Sequence, residues 1–175
     1  MFLKTFIINQ FSQVHVWEIT ESLEDLFDQV YLKDESLLRL NNMKSELHQR
    51  GFLSIRLLLR QLGYNDDDLY YDEFGKPHLR DGKNISISHS FHMAVVAISE
   101  VEIGVDIEMI REKISIVAHK FSQSELNFLD NKEGIDYIKK LTVIWGCKES
   151  IFKIQNEPGI SFKDHIDVFP FELNE

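Results

Sequence analysis

The chain has 175 residues, 43% hydrophobic and 27% charged, which suits one packed domain or two small halves and needs neither disulfides nor a structural metal. Its net charge of −10 argues against nucleic-acid binding, which needs clustered Lys and Arg, but leaves room for a local basic pocket. Its single cysteine, Cys147, excludes an intramolecular disulfide, and its longest plainly apolar run, 94–98, is far too short to span a membrane. The apolar start gives way to Asn9, Gln10, Ser12 and Gln13 without a small-residue cleavage site, so a cytoplasmic protein away from membranes is expected.

Residues 3–9 and 14–19 read as strands. Thr20 is placed to cap a helix over about 21–31, with Glu21 and Glu24 near its positive end. Residues 43–62 have the period of a long helix, with Leu47, Phe52, Ile55, Leu58, Leu59 and Leu62 on one face and Gly63 as the stop. An acidic turn follows at 65–68, then an irregular loop at 73–78. Strands are predicted near 84–88, 93–99 and 101–108 from their Ile and Val content. Ser122 and Glu125 have capping-box spacing for another helix. A longer helix covers about 134–155, its buried side marked by Ile135, Ile138, Leu141, Ile144, Trp145, Ile151 and Phe152, and Pro158 and Gly159 end it. The tail, 160–175, has room for one strand. The order β-β-α-α-β-β-β-α-α-β predicts an α+β fold with antiparallel strands. Residues 14–19 faintly echo 103–108, a weak sign of two related halves.

Asp106 and Glu108, two apart on a predicted strand, would share a face. Two carboxylates there repel and lose solvation unless a cation joins them, and oxygen-only ligands favour Mg²⁺ or Mn²⁺. A strand end emerging into solvent explains the pair equally well. In the segment 145–153, Glu149 and Lys153 are spaced i, i+4 and Trp145 lies one turn earlier, whereas Lys148 is offset by one position. A solvated ion pair is the plain alternative. Gly75-Lys76-Pro77 presents backbone N–H groups and an ammonium to a phosphate, although it is not a Walker loop. His89 reads as a phosphate donor or as a packed strand-end histidine. Zinc is not expected, because Cys147 has no partner cysteine.

The order of these segments carries more than any one of them. FGKP, then SISHS, then GVDIE, then WxxKESxxK resembles the phosphopantetheinyl transferase superfamily, in its larger two-subdomain type, closely over residues 74–153. The resemblance implies two similar α+β subdomains in a pseudo-dimer, each an antiparallel sheet packed with a long helix, with coenzyme A in the cleft between them. It implies magnesium held by Asp106, Glu108 and Glu149, and Lys148 and Lys153 on the cofactor's phosphates. Gly75, Lys76 and Pro77 match the loop over the adenine end, and Ser88 and His89 the phosphate-binding turn. Arg50 resembles an arginine on the 3′-phosphate, with Lys44, Arg56 and Arg60 as alternatives. The implied reaction moves the phosphopantetheine arm of coenzyme A to a serine of an acyl or peptidyl carrier protein and releases 3′,5′-ADP. Glu149 or a metal-bound water is the candidate base, with Lys153 beside it.

Taking 1–100 and 101–175 as the subdomains, the second is the shorter, which suits a short variant, a truncated chain or a sheet edge supplied by a partner. Carrier proteins in this system are acidic, so an acidic monomer must recognise them through a local basic or apolar patch, for which Lys113 and Lys120 are candidates. A non-catalytic relative that binds coenzyme A or a nucleotide is the alternative function. A glycosidase pair, Glu149 with Asp106 or Glu108, is a weaker one.

Overall fold

A computed structural model describes residues 2–129 and 134–173. The chain forms two compact units, Met1–Ile107 and Glu108–Glu175. The first is built on a six-stranded, wholly antiparallel sheet with spatial order β1-β2-β6-β5-β4-β3. Its strands are β1 (Phe2–Asn9), β2 (Ser12–Glu18), β3 (Leu69–Tyr71), β4 (Pro77–Leu79), β5 (Asn84–Ser90) and β6 (Met93–Ser99). Its helices are α1 (Leu23–Asp28), α2 (Asp34–Asn41) and α3 (Glu46–Gln61). The α+β expectation holds here.

The helix α3 packs on the sheet through β2, β5 and β6 and is overlaid by α1. Every residue from Gly51 to Leu59 is buried, so α3 is enclosed over that stretch rather than striped. Leu53, Leu58 and Leu59 join Trp17, Ile85, Ala94 and Val96 in one core. Each such leucine contributes about 1.5–3 kcal/mol by leaving water. Two details differ from expectation. Ser22, not Thr20, caps α1, because its hydroxyl accepts from Asp25 N–H while Asp25 reaches back to Ser22. Second, 101–108 forms no strand. Val105 N–H donates to the Ser86 hydroxyl at 3.0 Å, so a side chain of β5 takes the place of a ladder partner.

The second unit holds α4 (Lys113–Phe121), a short 3₁₀ turn at Glu125–Asn127 and the 21-residue α5 (Ile135–Gln155). Its core joins Ala118, Phe121, Leu129, Leu141 and Ile144. Among the described residues it has no strand, so the sheet expected for a second similar half is not formed there. In the tail, the Phe162 and Ile166 carbonyls accept from the Lys148 ammonium instead of a neighbouring strand. The expected capping box at Ser122 is also absent. Ser122 ends α4, and Glu125 is buried as the partner of Lys148. Burial pushes the Glu125 carboxyl up, but the hydrogen bond from Lys148 and the surrounding N–H groups outweigh it and hold the group below its ordinary range. A carboxyl lowered on folding stabilises above its unfolded pKa and loses that contribution as pH falls through the folded value. This unit is therefore expected to loosen below the ordinary carboxylate range, followed by Trp145 fluorescence, and Glu125→Gln should remove that part of the acid dependence. Among the described residues no helix is long and apolar enough to cross a membrane.

Candidate functional site

The SISHS segment lies on β5, and the pleat divides it. Successive side chains of a strand point to opposite faces. Ile85, Ile87 and His89 therefore turn toward α3, while Ser86 and Ser88 turn the other way. The Ser88 hydroxyl donates to Asp106 Oδ1 at 2.8 Å, and Ser86 holds Val105 one residue earlier. Ser88 and His89 thus leave β5 on opposite faces, and Ser88 is engaged with Asp106.

His89 lies against Gly51 of α3. A Cβ built at Gly51 would stand 2.6 Å from His89 Nδ1 and 2.8 Å from its Cγ, so this helix position needs glycine for the imidazole to sit where it does. His48, one turn earlier on α3, has its ring 6.1 Å from that of His89. Arg50 is next to Gly51. Its Nη2 donates to the Ile19 carbonyl at 3.1 Å, and its buried Nε has no hydrogen-bond partner. The competing arginines are engaged elsewhere: Arg56 is buried against Asp66, and Arg60 donates to the Gln29 carbonyl. Gly51→Ala is expected to drive the His89 ring from its place, read as a shift of its imidazole NMR signals. Unchanged signals would show that the contact is not tight.

The FGKP segment is the turn of the β3–β4 hairpin, organised by Asp72. Its Oδ1 accepts from the N–H groups of Phe74 and Lys76, both at 2.9 Å, and its carbonyl accepts from Gly75 N–H. Gly75 has φ +82°, a left-handed conformation that favours glycine. The backbone N–H groups expected to meet a phosphate are thus engaged by Asp72. His78 Nε2 lies 3.0 Å from Asp72 Oδ2 and, foremost among several contacts, holds that carboxyl below its ordinary range.

In the second unit α5 gathers the other candidates. Trp145 Nε1 donates to Glu108 Oε1 at 3.3 Å. Glu149 lies one turn beyond Trp145 on α5, and Lys153 one turn beyond that. Trp145 is itself wedged edge-on against Phe121 and against Phe162, with ring centroids 5.1 Å and 5.3 Å away. Next to it opens a cavity of about 300 Å³, lined by Met109, Ile114, Val117 and Trp145 together with Glu108 and Lys113. Lys148 departs from expectation. It is fully buried, and its three protons meet Glu125 Oε1, the Phe162 carbonyl and the Ile166 carbonyl, so it is not presented to a cofactor phosphate.

The family model of the 4′-phosphopantetheinyl transferase superfamily matches residues 102–174. The chain is also similar to three curated bacterial proteins. It is 31% identical over 126 residues to the 4′-phosphopantetheinyl transferase gsp of Aneurinibacillus migulanus, which covers 69% of this chain and 53% of that protein. It is 33% identical to the 4′-phosphopantetheinyl transferase ffp of Bacillus subtilis, and 32% identical to the 4′-phosphopantetheinyl transferase Sfp of Bacillus subtilis strain 168. Each of these two alignments covers 66% of this chain and 51% of the relative. The chain belongs to the 4′-phosphopantetheinyl transferase superfamily. It spans about half the length of the curated relatives it matches.

Asp106, Glu108 and Glu149 are the three carboxylates that the sequence singles out. Their donor chemistry, oxygen without sulfur or nitrogen, fits a hard divalent cation. Among the described residues no three His, Cys, Asp or Glu side chains are grouped as a metal site. Three residues that hold candidate side chains or segments in place escaped the sequence: Gly51 and Asp72 in the first unit and Glu125 in the second. Asp72 had a signal, an Asp three residues before a Gly in a turn. Gly51 and Glu125 had none, since both are defined by a contact distant in sequence.

Proposed function

We propose that the chain transfers the 4′-phosphopantetheine arm of coenzyme A to a serine of an acyl or peptidyl carrier protein. The serine Oγ forms a bond to the β-phosphorus, the pyrophosphate P–O bond breaks, 3′,5′-ADP leaves, and the serine proton goes to a base. The observation that carries this reading is the hydrogen bond from Trp145 to Glu108, on the helix that also carries Glu149 and Lys153, in a chain of this family. In the proposal Asp106, Glu108 and Glu149 hold Mg²⁺, or Mn²⁺ in its place. A bound divalent cation neutralises charge growing on the pyrophosphate oxygens. Ser88 and Trp145 aim two of the three carboxylates. Lys153 adds fixed positive charge toward the phosphates, and Glu149 is the candidate proton acceptor. Arg50 with its unused Nε, His89, and Lys76 with Gly75 and Pro77 are assigned to the nucleotide end of coenzyme A.

The test is direct. The full chain is mixed with coenzyme A, Mg²⁺ and several apo carrier proteins, and intact mass is followed for a gain of one phosphopantetheine arm. No gain with carriers that a known transferase modifies would sink the reading. Calorimetric binding of coenzyme A without transfer would leave a non-catalytic binding relative in its place.

The carrier surface is assigned to α4 and the cavity beside it. Ile116 and Val117 are exposed there, and Lys113 and Lys120 are exposed cations on an otherwise acidic protein. An acidic carrier needs such a local patch. Lys113→Glu with Lys120→Glu is expected to raise the carrier KM about tenfold with coenzyme A affinity unchanged. An unchanged KM removes the assignment.

A further inference from the structure

Lysine is almost never fully buried unless it is paired. Lys148 and Glu125 are both 0% exposed, and their charged atoms are 2.6 Å apart. The remaining Lys148 protons go to the Phe162 carbonyl at 2.7 Å and the Ile166 carbonyl at 2.6 Å. Glu125 in turn accepts from Val168 N–H at 3.1 Å and Gln123 N–H at 3.2 Å. One pair thus ties α5 to the turn after α4 and to the 162–168 segment, with all three ammonium protons satisfied.

Such a pair does something that an apolar residue at 148 could not. Hydrophobic contact is non-directional and tolerates sliding and rotation. An ammonium with three fixed acceptors sets both the rotation of α5 about its axis and its position along it. Lys148 and Glu149 are consecutive, about 100° apart around the helix, so turning Lys148 inward fixes where Glu149 points. The same contacts reach Glu108. The carbonyl of Phe162 is held by Lys148, the ring of Phe162 packs on Trp145 and Phe152, and the indole of Trp145 holds Glu108.

We propose that Lys148 is a positioning residue, which with Glu125 forms a buried strut that sets the rotation of α5 and, through Phe162 and Trp145, the placement of Glu149 and Glu108. Its consequence for turnover rests on the transfer reading above; the strut itself does not.

The experiment compares Lys148→Met, Glu125→Gln and the double variant in the full chain. It measures the thermal midpoint, Trp145 emission in a Trp17→Phe background that leaves one indole, coenzyme A affinity by calorimetry, and kcat and KM for transfer. Each single variant is expected to lower the midpoint and shift the emission to the red. In each, kcat should fall by roughly ten- to a hundredfold, while coenzyme A affinity stays within about twofold. The double variant leaves no lone buried charge, so it should recover much of the midpoint. Its kcat should stay low, because neutral side chains do not fix the rotation. If Lys148→Met does not fold, Glu125→Gln, which keeps the volume and an acceptor, decides the matter. Loss of coenzyme A affinity by tenfold or more in Lys148→Met, with Glu125→Gln unaffected, would assign Lys148 to the phosphates and overturn the strut. Wild-type midpoint, emission and kcat in Glu125→Gln would also overturn it. Absence of transfer by the wild-type chain overturns the transfer reading alone, and midpoint and emission then decide the strut.

Discussion

Replacing Glu149 with alanine is expected to reduce phosphopantetheine transfer on the order of a thousandfold or more while leaving the protein folded. The fully buried side of α5 is made by Ile138, Leu141, Thr142, Ile144 and Lys148, whereas Glu149 is only half-buried. Alanine is also the best helix former, and the substitution costs no propensity. What is lost is one full negative charge where the proposed reaction needs a cation and a base. The thermal midpoint should move by only about 2–4 °C, consistent with a change near 1 kcal/mol. Glu149→Gln, which keeps the shape but not the charge, should be nearly as inactive. Calorimetry should show divalent-cation affinity lost in both variants and coenzyme A binding without the cation retained. Turnover near wild type in Glu149→Ala would remove Glu149 from both of its proposed roles.

The elements that could be read from the sequence were those with a strong local period. Residues 43–62 and 134–155 announced long helices, and the Ile and Val content of β5 and β6 announced strands. The helices α2 and α4 did not announce themselves. Neither has a side-chain cap at its start, and α4 carries Ile114, Ile116 and Val117, β-branched residues that do not mark a helix. Residues 101–108 failed in the opposite sense. Ile103, Val105 and Ile107 alternate as a strand does, yet the partner of Val105 is the Ser86 hydroxyl. In the candidate site the residue types and their order could be read, but not their partners. Lys148 was expected on the cofactor's phosphates, and its counter-ion, Glu125, could not be read because it is 23 residues earlier and only packing brings the two together. Ser88 and His89 looked like a single unit because they are adjacent, whereas a strand sends adjacent side chains to opposite faces.

Asp66→Ala is expected to destabilise the first unit by about 3–5 kcal/mol, a fall of roughly 10–20 °C in its thermal midpoint. Asp66 opens the short 3₁₀ turn after α3 and is 3% exposed; Arg56 on α3 is 5% exposed. Arg56 Nε donates to Asp66 Oδ1 at 3.1 Å, and Lys33 N–H donates to Oδ2 at 3.0 Å. The guanidinium also lies over the Phe52 ring, its carbon 3.5 Å from the centroid. Removing the carboxylate leaves an always-charged group without its counter-ion in a place water does not readily reach, and that stranded charge dominates the cost. Asp66→Asn keeps the volume and an acceptor oxygen and should lose only about 1–3 kcal/mol. A pair of apolar residues at 56 and 66 strands no charge and should recover most of the loss. Urea unfolding followed by Trp17, buried in the same core, measures all three; a loss below about 1 kcal/mol in Asp66→Ala would show that the pair is not buried as described. The pair also bears on the candidate site. Arg56 anchors α3 less than two turns beyond Gly51, where the helix closes on His89 to within a distance no added Cβ could share. A small shift of α3 in folded Asp66→Ala protein is therefore expected to move His89 and Arg50 apart and weaken coenzyme A, whereas the apolar pair should weaken it less.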